Sequence, residues 1–267
     1  MNSKLKLNRP IAVFDAGIGS YAIVELLKKE FPKQDIIYLA DRNSFPYGNK
    51  TNDELAVILR NTLKYLETWL PSLIVVASNA PSVTILPDIQ TEFETDIIGV
   101  YPPIKEAIEK SSTKEIGVLG VKSMIETDEV MHYINEEKSP DANINTFNAS
   151  SLVELVETGA FMNDKYRTLI TIKSFMDNVL DEHEAIDVFT LSSTHLPWLY
   201  SYFKELYPHI MFIDPSTEVV EQVGKYAVEG SGMIKSLVTT NQVYTLESFN
   251  EMLNKLNIEL ELEEVHI

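Results

Sequence analysis

The sequence predicts an α/β fold built on mostly parallel sheets and divided into two lobes. Three observations lead there. Short apolar runs alternate with amphipathic stretches along the chain, as in βαβ units. The runs show little polar alternation, as expected of strands covered on both faces. Two proline-marked breaks, Tyr101-Pro102-Pro103 and Tyr207-Pro208, bracket about a hundred residues that repeat the same alternation.

In chain order the apolar runs are Ile11–Phe14, Ile36–Leu39, Leu73–Ala77, Ile97–Val100, Ile116–Leu119, Ile144–Phe147, Val188–Leu191 and Met211–Ile213. Helical spacing fills the gaps at Ala22–Glu30, Asp53–Trp69, Ile104–Lys110, Glu126–Glu137, Leu152–Thr158, Tyr166–Leu180 and Glu218–Val228. The tail has a helix-spaced apolar set at Leu246, Phe249, Met252, Leu253 and Leu256. An alternating IELELEEVHI follows and reads as an edge strand. Residues 1–100 with 210–267 are expected to form the first lobe, and 101–209 the second. A faint internal echo links Leu73-IVVASNAPS to Val188-FTLSSTHLP. Each is an apolar strand running into serine, a polar residue and then proline.

Composition narrows the function. With 267 residues, 45% of them apolar, the chain can bury a sizeable core. No run approaches the ~18 apolar residues of a membrane span. The run Ile11–Phe14, stopped by Asp15, is too short for a signal-peptide core, so a cytoplasmic protein is expected. A net charge of −18 repels polyanions and makes nucleic acid and anionic membrane poor partners. The absence of cysteine excludes disulfides, thiolate metal sites and thiol nucleophiles. His132, His183, His209 and His266 show no metal-ligand spacing, and no glycine pattern matches a P-loop or dinucleotide fingerprint.

Parallel α/β sheets bind ligands at the carboxyl ends of their strands. Four segments stand there: Asp15–Ser20, Pro46-Tyr47-Gly48-Asn49, Ser78–Ser82 and Ser193-Thr194-His195. Each has a functional and a plain reading. Gly17 and Gly19 could cradle an anion on backbone N–H groups, or could simply make a tight turn, the commoner case. Asp15 could be a general base or a helix cap. His195 could be a general acid or base, but one histidine proves nothing. Ser193 and Thr194 could serve only as caps.

Taken together the segments are far more specific. VFDAGIGS, IIYLADRNSFPYGNK, IVVASNAPS, IGVLG, LVELVETG, TLSSTHLPWL and FIDPS resemble the aspartate/glutamate racemase family, above all glutamate racemase, in order and spacing over essentially the whole chain. The resemblance implies two pseudo-symmetric α/β lobes with the active-site cleft between them. It also implies cofactor-independent proton transfer at the α-carbon of an amino acid, and a homodimer. The family's two cysteine bases, in patterns like C-N-T-A-S and G-C-T-H, map onto Ser78 and Ser193. Asp15, Glu157 and His195 map onto the residues that assist those bases. Ala16, Pro46, Tyr47, Gly48, Asn79, Ala80 and Thr194 map onto substrate-anchoring positions.

The departures carry as much information. A thiol, with a pKa near 8.5, yields a usable thiolate, whereas a serine hydroxyl is a weaker acid than even tyrosine. Two serines should therefore abolish efficient two-base racemisation. Ala16, Ala80, Val121 and Met124 also stand where the family pattern has hydroxyls, and Arg42 follows Asp41 where threonine is usual. A paired laboratory Cys→Ser replacement would not produce these, so natural divergence is the expectation. Three functions follow. A proton-transfer enzyme keeps Asp15, Glu157 and His195 around one open cavity. A non-catalytic ligand sensor keeps a cavity without a positioned base. A scaffold fills the cleft with Val121, Met124 and their neighbours.

Overall fold

The computed structural model describes residues 7–267, so the first six residues of the expected first lobe lie outside it. Among the described residues, ten strands form two all-parallel sheets. The six-stranded sheet contains β1 (Ile11–Asp15), β2 (Ile36–Asp41), β3 (Leu73–Val76), β4 (Ile97–Gly99), β9 (Ile234–Thr239) and β10 (Leu262–Glu264), in the order β10-β9-β2-β1-β3-β4. The four-stranded sheet holds β5 (Glu115–Gly120), β6 (Asn143–Asn148), β7 (Val188–Leu191) and β8 (Met211–Ile213), in the order β6-β5-β7-β8. β6-β5-β7-β8 repeats β2-β1-β3-β4, so β3 and β7 occupy equivalent places. The sequence echo between them therefore reflects structural equivalence.

Every residue of β1, β2 and β3 is buried, as their unbroken apolar runs predict. β6 differs: as the sheet edge it leaves Asn143 and Asn148 exposed. β9 was not expected. Lys235 and Ser236 interrupt its apolar run, yet it pairs with β2 along its whole length. β10 is the expected edge strand, but only three residues of the alternating tail pair. β8 pairs with β7, so the chain leaves the second sheet only after Ile213, later than the expected return at 210. Among the described residues no helix is long and apolar enough to cross a membrane.

One apolar cluster runs through both lobes. It joins Ile11, Val13, Ile18 and Tyr21 to Leu119, Leu152, Val156, Phe189, Leu196 and Phe249. Register then sets the site. The Ala77 N–H donates to the Phe14 carbonyl at 2.8 Å, putting Ser78 beside Asp15 at the end of the first sheet. The Ser192 N–H likewise donates to the Leu119 carbonyl at 2.8 Å, carrying Ser193 to the end of the second.

Candidate active site

The facing strand ends enclose a cavity of about 520 Å³. Asp15, Ala16, Pro46, Tyr47, Gly48, Ser78, Asn79, Ala80, Ser193, Thr194 and His195 all line it. Of the twelve residues that the family resemblance maps onto catalytic or substrate-anchoring positions, Glu157 alone does not.

Asp15 caps no helix, since the next helix, Tyr21–Glu30, begins after Ser20. Its Oδ1 accepts from the Ala16 N–H at 2.7 Å, and its Oδ2 from the Thr194 hydroxyl across the cleft at 3.4 Å. Thr194 is therefore not spent as a cap. Burial is the main force on Asp15 and pushes its carboxyl up to about 6, with the Glu157 charge adding to the push. The His195 charge, the Ser78 hydroxyl and the Ala16 N–H pull the other way. Tyr47 donates to Asp41 Oδ2 at 3.1 Å, while Asp41 Oδ1 accepts from Thr239 at 2.6 Å. Burial and the charge of Asp41 keep that phenol protonated. Asn79 donates from Nδ2 to the Val100 carbonyl at 3.1 Å, and its buried Oδ1 has no partner among the described residues. That acceptor suits a donor supplied by a ligand.

Behind the wall lies a charged network. His195 Nε2 meets Glu157 Oε1 at 2.7 Å, and the Ile18 N–H donates to the same oxygen at 2.9 Å. Arg42 Nη1 donates to Glu157 Oε2 at 3.2 Å. Burial would raise the Glu157 carboxyl, but His195, Arg42 and the Ile18 N–H together overcome it and hold the group at about 2. Glu157 thus orients His195 and does not reach the cavity, and no Ser193–His195 hydrogen bond forms among the described residues. This explains the two glycines. A Cβ on Gly17 would lie 2.6 Å from Glu157 Oε1, and one on Gly19 would lie 2.7 Å from Thr194 Oγ1. Close approach of the lobes requires them, a reason that neither sequence-level reading offered.

No family model matches the chain. It is 30% identical to the glutamate racemase of Sulfurihydrogenibium sp. over 264 residues, 97% of each chain. It is 28% identical to that of Persephonella marina over 254 residues, 94% of this chain and 95% of the relative. The chain belongs to the glutamate racemase family. In fold it matches the crystal structure of Escherichia coli glutamate racemase in complex with L-glutamate and the activator UDP-MurNAc-ala, with a TM-score of 0.83 at 21% identity over 97% of this chain and 98% of that one.

The 26–30% identity to the glutamate racemases it matches makes this chain a divergent member of that family. One expectation about its cleft needs correction. Met124 does not face the cleft: it is fully buried in the second lobe's core against Gly120. Ser123, one position earlier, brings a hydroxyl to the wall instead, and a Cβ on the facing Gly48 would lie 2.7 Å from its Oγ. Lys122, Glu126, Thr127 and Ser150 also line the cavity and were missed, because nothing in their spacing separates them from ordinary helix-start residues. Thr127 and Ser150 are indeed engaged locally, by Met124 and Asn148.

Asp15→Asn is expected to stabilise the protein at pH 8 by on the order of 3 kcal/mol and to leave stability at pH 4 unchanged. With its native pKa raised to about 6, the contribution of the protonated carboxyl is complete below the ordinary 3.8 and is lost as pH rises through 6. Urea denaturation at the two pH values measures it. Equal effects at both would contradict the buried, raised carboxyl.

Proposed function

We propose that the chain binds a small amino acid or related carboxylate in its interlobe cavity, without a cofactor, and that efficient two-base racemisation has been lost with the two thiols. The reading rests above all on Asp15, a buried carboxyl titrating near neutral pH on a cavity wall that Asn79, Thr194 and Tyr47 also line. In this reading the Asn79 Oδ1 takes up a ligand N–H. Asp15, and not Glu157, is the carboxyl assigned to act as a base, because Glu157 is fully engaged behind the wall. The open cavity argues against the scaffold reading. A sensor that closes on its ligand is the second reading, favoured by the commitment of His195 Nε2 to Glu157. In both readings the protein works in the cytoplasm as two lobes, the second running from 101 to about 213, and as a homodimer.

Isothermal calorimetry with D- and L-glutamate and D- and L-aspartate tests the binding claim. At least one should bind, and Asn79→Ala should weaken it by ~10–100-fold, the scale of a lost hydrogen bond to a charged group. Failure of all four to bind the unaltered protein would overturn the proposal.

A further inference from the structure

The charge network behind the cavity contains a residue that the family pattern does not supply. Arg42 follows β2 directly, and its side chain is 8% exposed. Its Nη1 donates to two acceptors, the Ala16 carbonyl at 3.0 Å and Glu157 Oε2 at 3.2 Å. The guanidinium carbon lies 4.1 Å from the centroid of the Phe45 ring and 5.3 Å from those of Tyr244 and Phe249. Phe45 and Tyr244 themselves pack edge to face, with centroids 5.0 Å apart. One side chain therefore joins the end of β2, the loop after β1, the helix Ser150–Glu157 of the second sheet's half, and the C-terminal helix Leu246–Lys255.

A guanidinium this deeply buried is stable only if paired, and Glu157 is the one carboxylate within 4 Å of it among the described residues. Glu157 depends on Arg42 in turn. Its Oε1 is shared between His195 and the Ile18 N–H, so among the described residues Arg42 is the sole partner of Oε2. A planar guanidinium can lie flat on Phe45 while donating in its own plane to two acceptors, which an ammonium cannot do.

We propose that Arg42 is an interlobe positioning residue. It clamps the Glu157 carboxylate and the Ala16 carbonyl, so that the Ala16–Gly19 stretch of the wall and His195 are held in place before any ligand arrives. Its bearing on turnover rests on the function proposed above, but the clamp does not, and it is testable in the ligand-free protein.

The test is hydrogen exchange by NMR on the ligand-free full chain, comparing the unaltered protein with Arg42→Thr and Arg42→Lys. Two protons report on the clamp. The Ile18 amide donates to Glu157 itself. The Trp198 indole N–H donates to the Gly19 carbonyl at 3.3 Å. In Arg42→Thr both should exchange at least about tenfold faster, while amides in the middle of β1 and β3 keep their rates. Arg42→Lys, which restores charge without the fork, should fall between and affect the same two sites. It carries the test alone if the threonine variant does not fold. Unchanged exchange at Ile18 and Trp198, or a parallel acceleration throughout β1 and β3, would overturn the proposal; the second outcome would make Arg42 a general stabiliser only. Because no ligand is present, neither result depends on whether an amino acid binds.

Discussion

Converting Ser78 and Ser193 together to cysteine is expected to raise α-proton exchange on glutamate or aspartate by roughly 10²–10⁴-fold, the contribution of a positioned general base. The two positions end equivalent strands, β3 and β7, on opposite lobes, and both line the cavity. A serine hydroxyl cannot hold a standing anion at neutral pH, whereas a thiol near 8.5 needs only a modest shift. Asp15 lies beside Ser78, and Thr194 beside Ser193 reaches back to Asp15, so each new thiol would enter an already polar setting. Oxygen to sulfur is a small change in a cavity of about 520 Å³. Each single variant should gain less than the pair, since inversion needs a base on both faces of the α-carbon. Proton NMR in D₂O measures the exchange. No gain from the pair would mean that the walls themselves, through Ala16, Ala80 and Val121, no longer hold an amino acid.

The second large effect falls on stability. Glu157→Ala should destabilise the fold by about 3–5 kcal/mol, because it strands the buried Arg42 cation and removes the acceptor of the Ile18 N–H and His195. Glu157→Gln, which keeps an acceptor, should cost less. The same carboxylate sets an acid limit. Its native pKa of about 2 lies below the ordinary 4.5, so its contribution is complete above 4.5 and is lost as pH falls toward 2. Denaturant unfolding at pH 7 and pH 3 measures both. A loss below about 0.5 kcal/mol for Glu157→Ala, the scale of a neutral surface substitution, would contradict the network.

Much of the fold was legible because it rests on patterns that burial enforces. β1, β2 and β3 are covered on both faces, and their unbroken apolar runs say so. β9 was not legible, since Lys235 and Ser236 broke the run and its position is fixed by pairing with β2, far away in sequence. The later exit from the second sheet depends on β8 pairing with β7, which Tyr207-Pro208 cannot reveal. At the site, motif order identified eleven wall residues, Ser78 and Ser193 among them. It could not separate Glu157, which acts from behind the wall, from those that touch the cavity. Met124 was misread because a motif position does not fix which way a side chain points, and it turned into the core. Arg42 stood out only as a departure. Its partners Ala16, Glu157 and Tyr244 come from three distant stretches, and only the folded chain brings them together.

The central claim is that this is a racemase-family cavity that has lost its thiol bases while keeping its polar walls. Its most direct test is the α-proton signal of D- and L-glutamate and D- and L-aspartate in D₂O with the unaltered protein, run beside the Ser78→Cys/Ser193→Cys variant. The account predicts that the signal persists with the unaltered protein over the time in which the variant washes it out. Rapid loss of the α-proton with both serines in place would contradict it, and would mean that this cavity moves the proton without thiols.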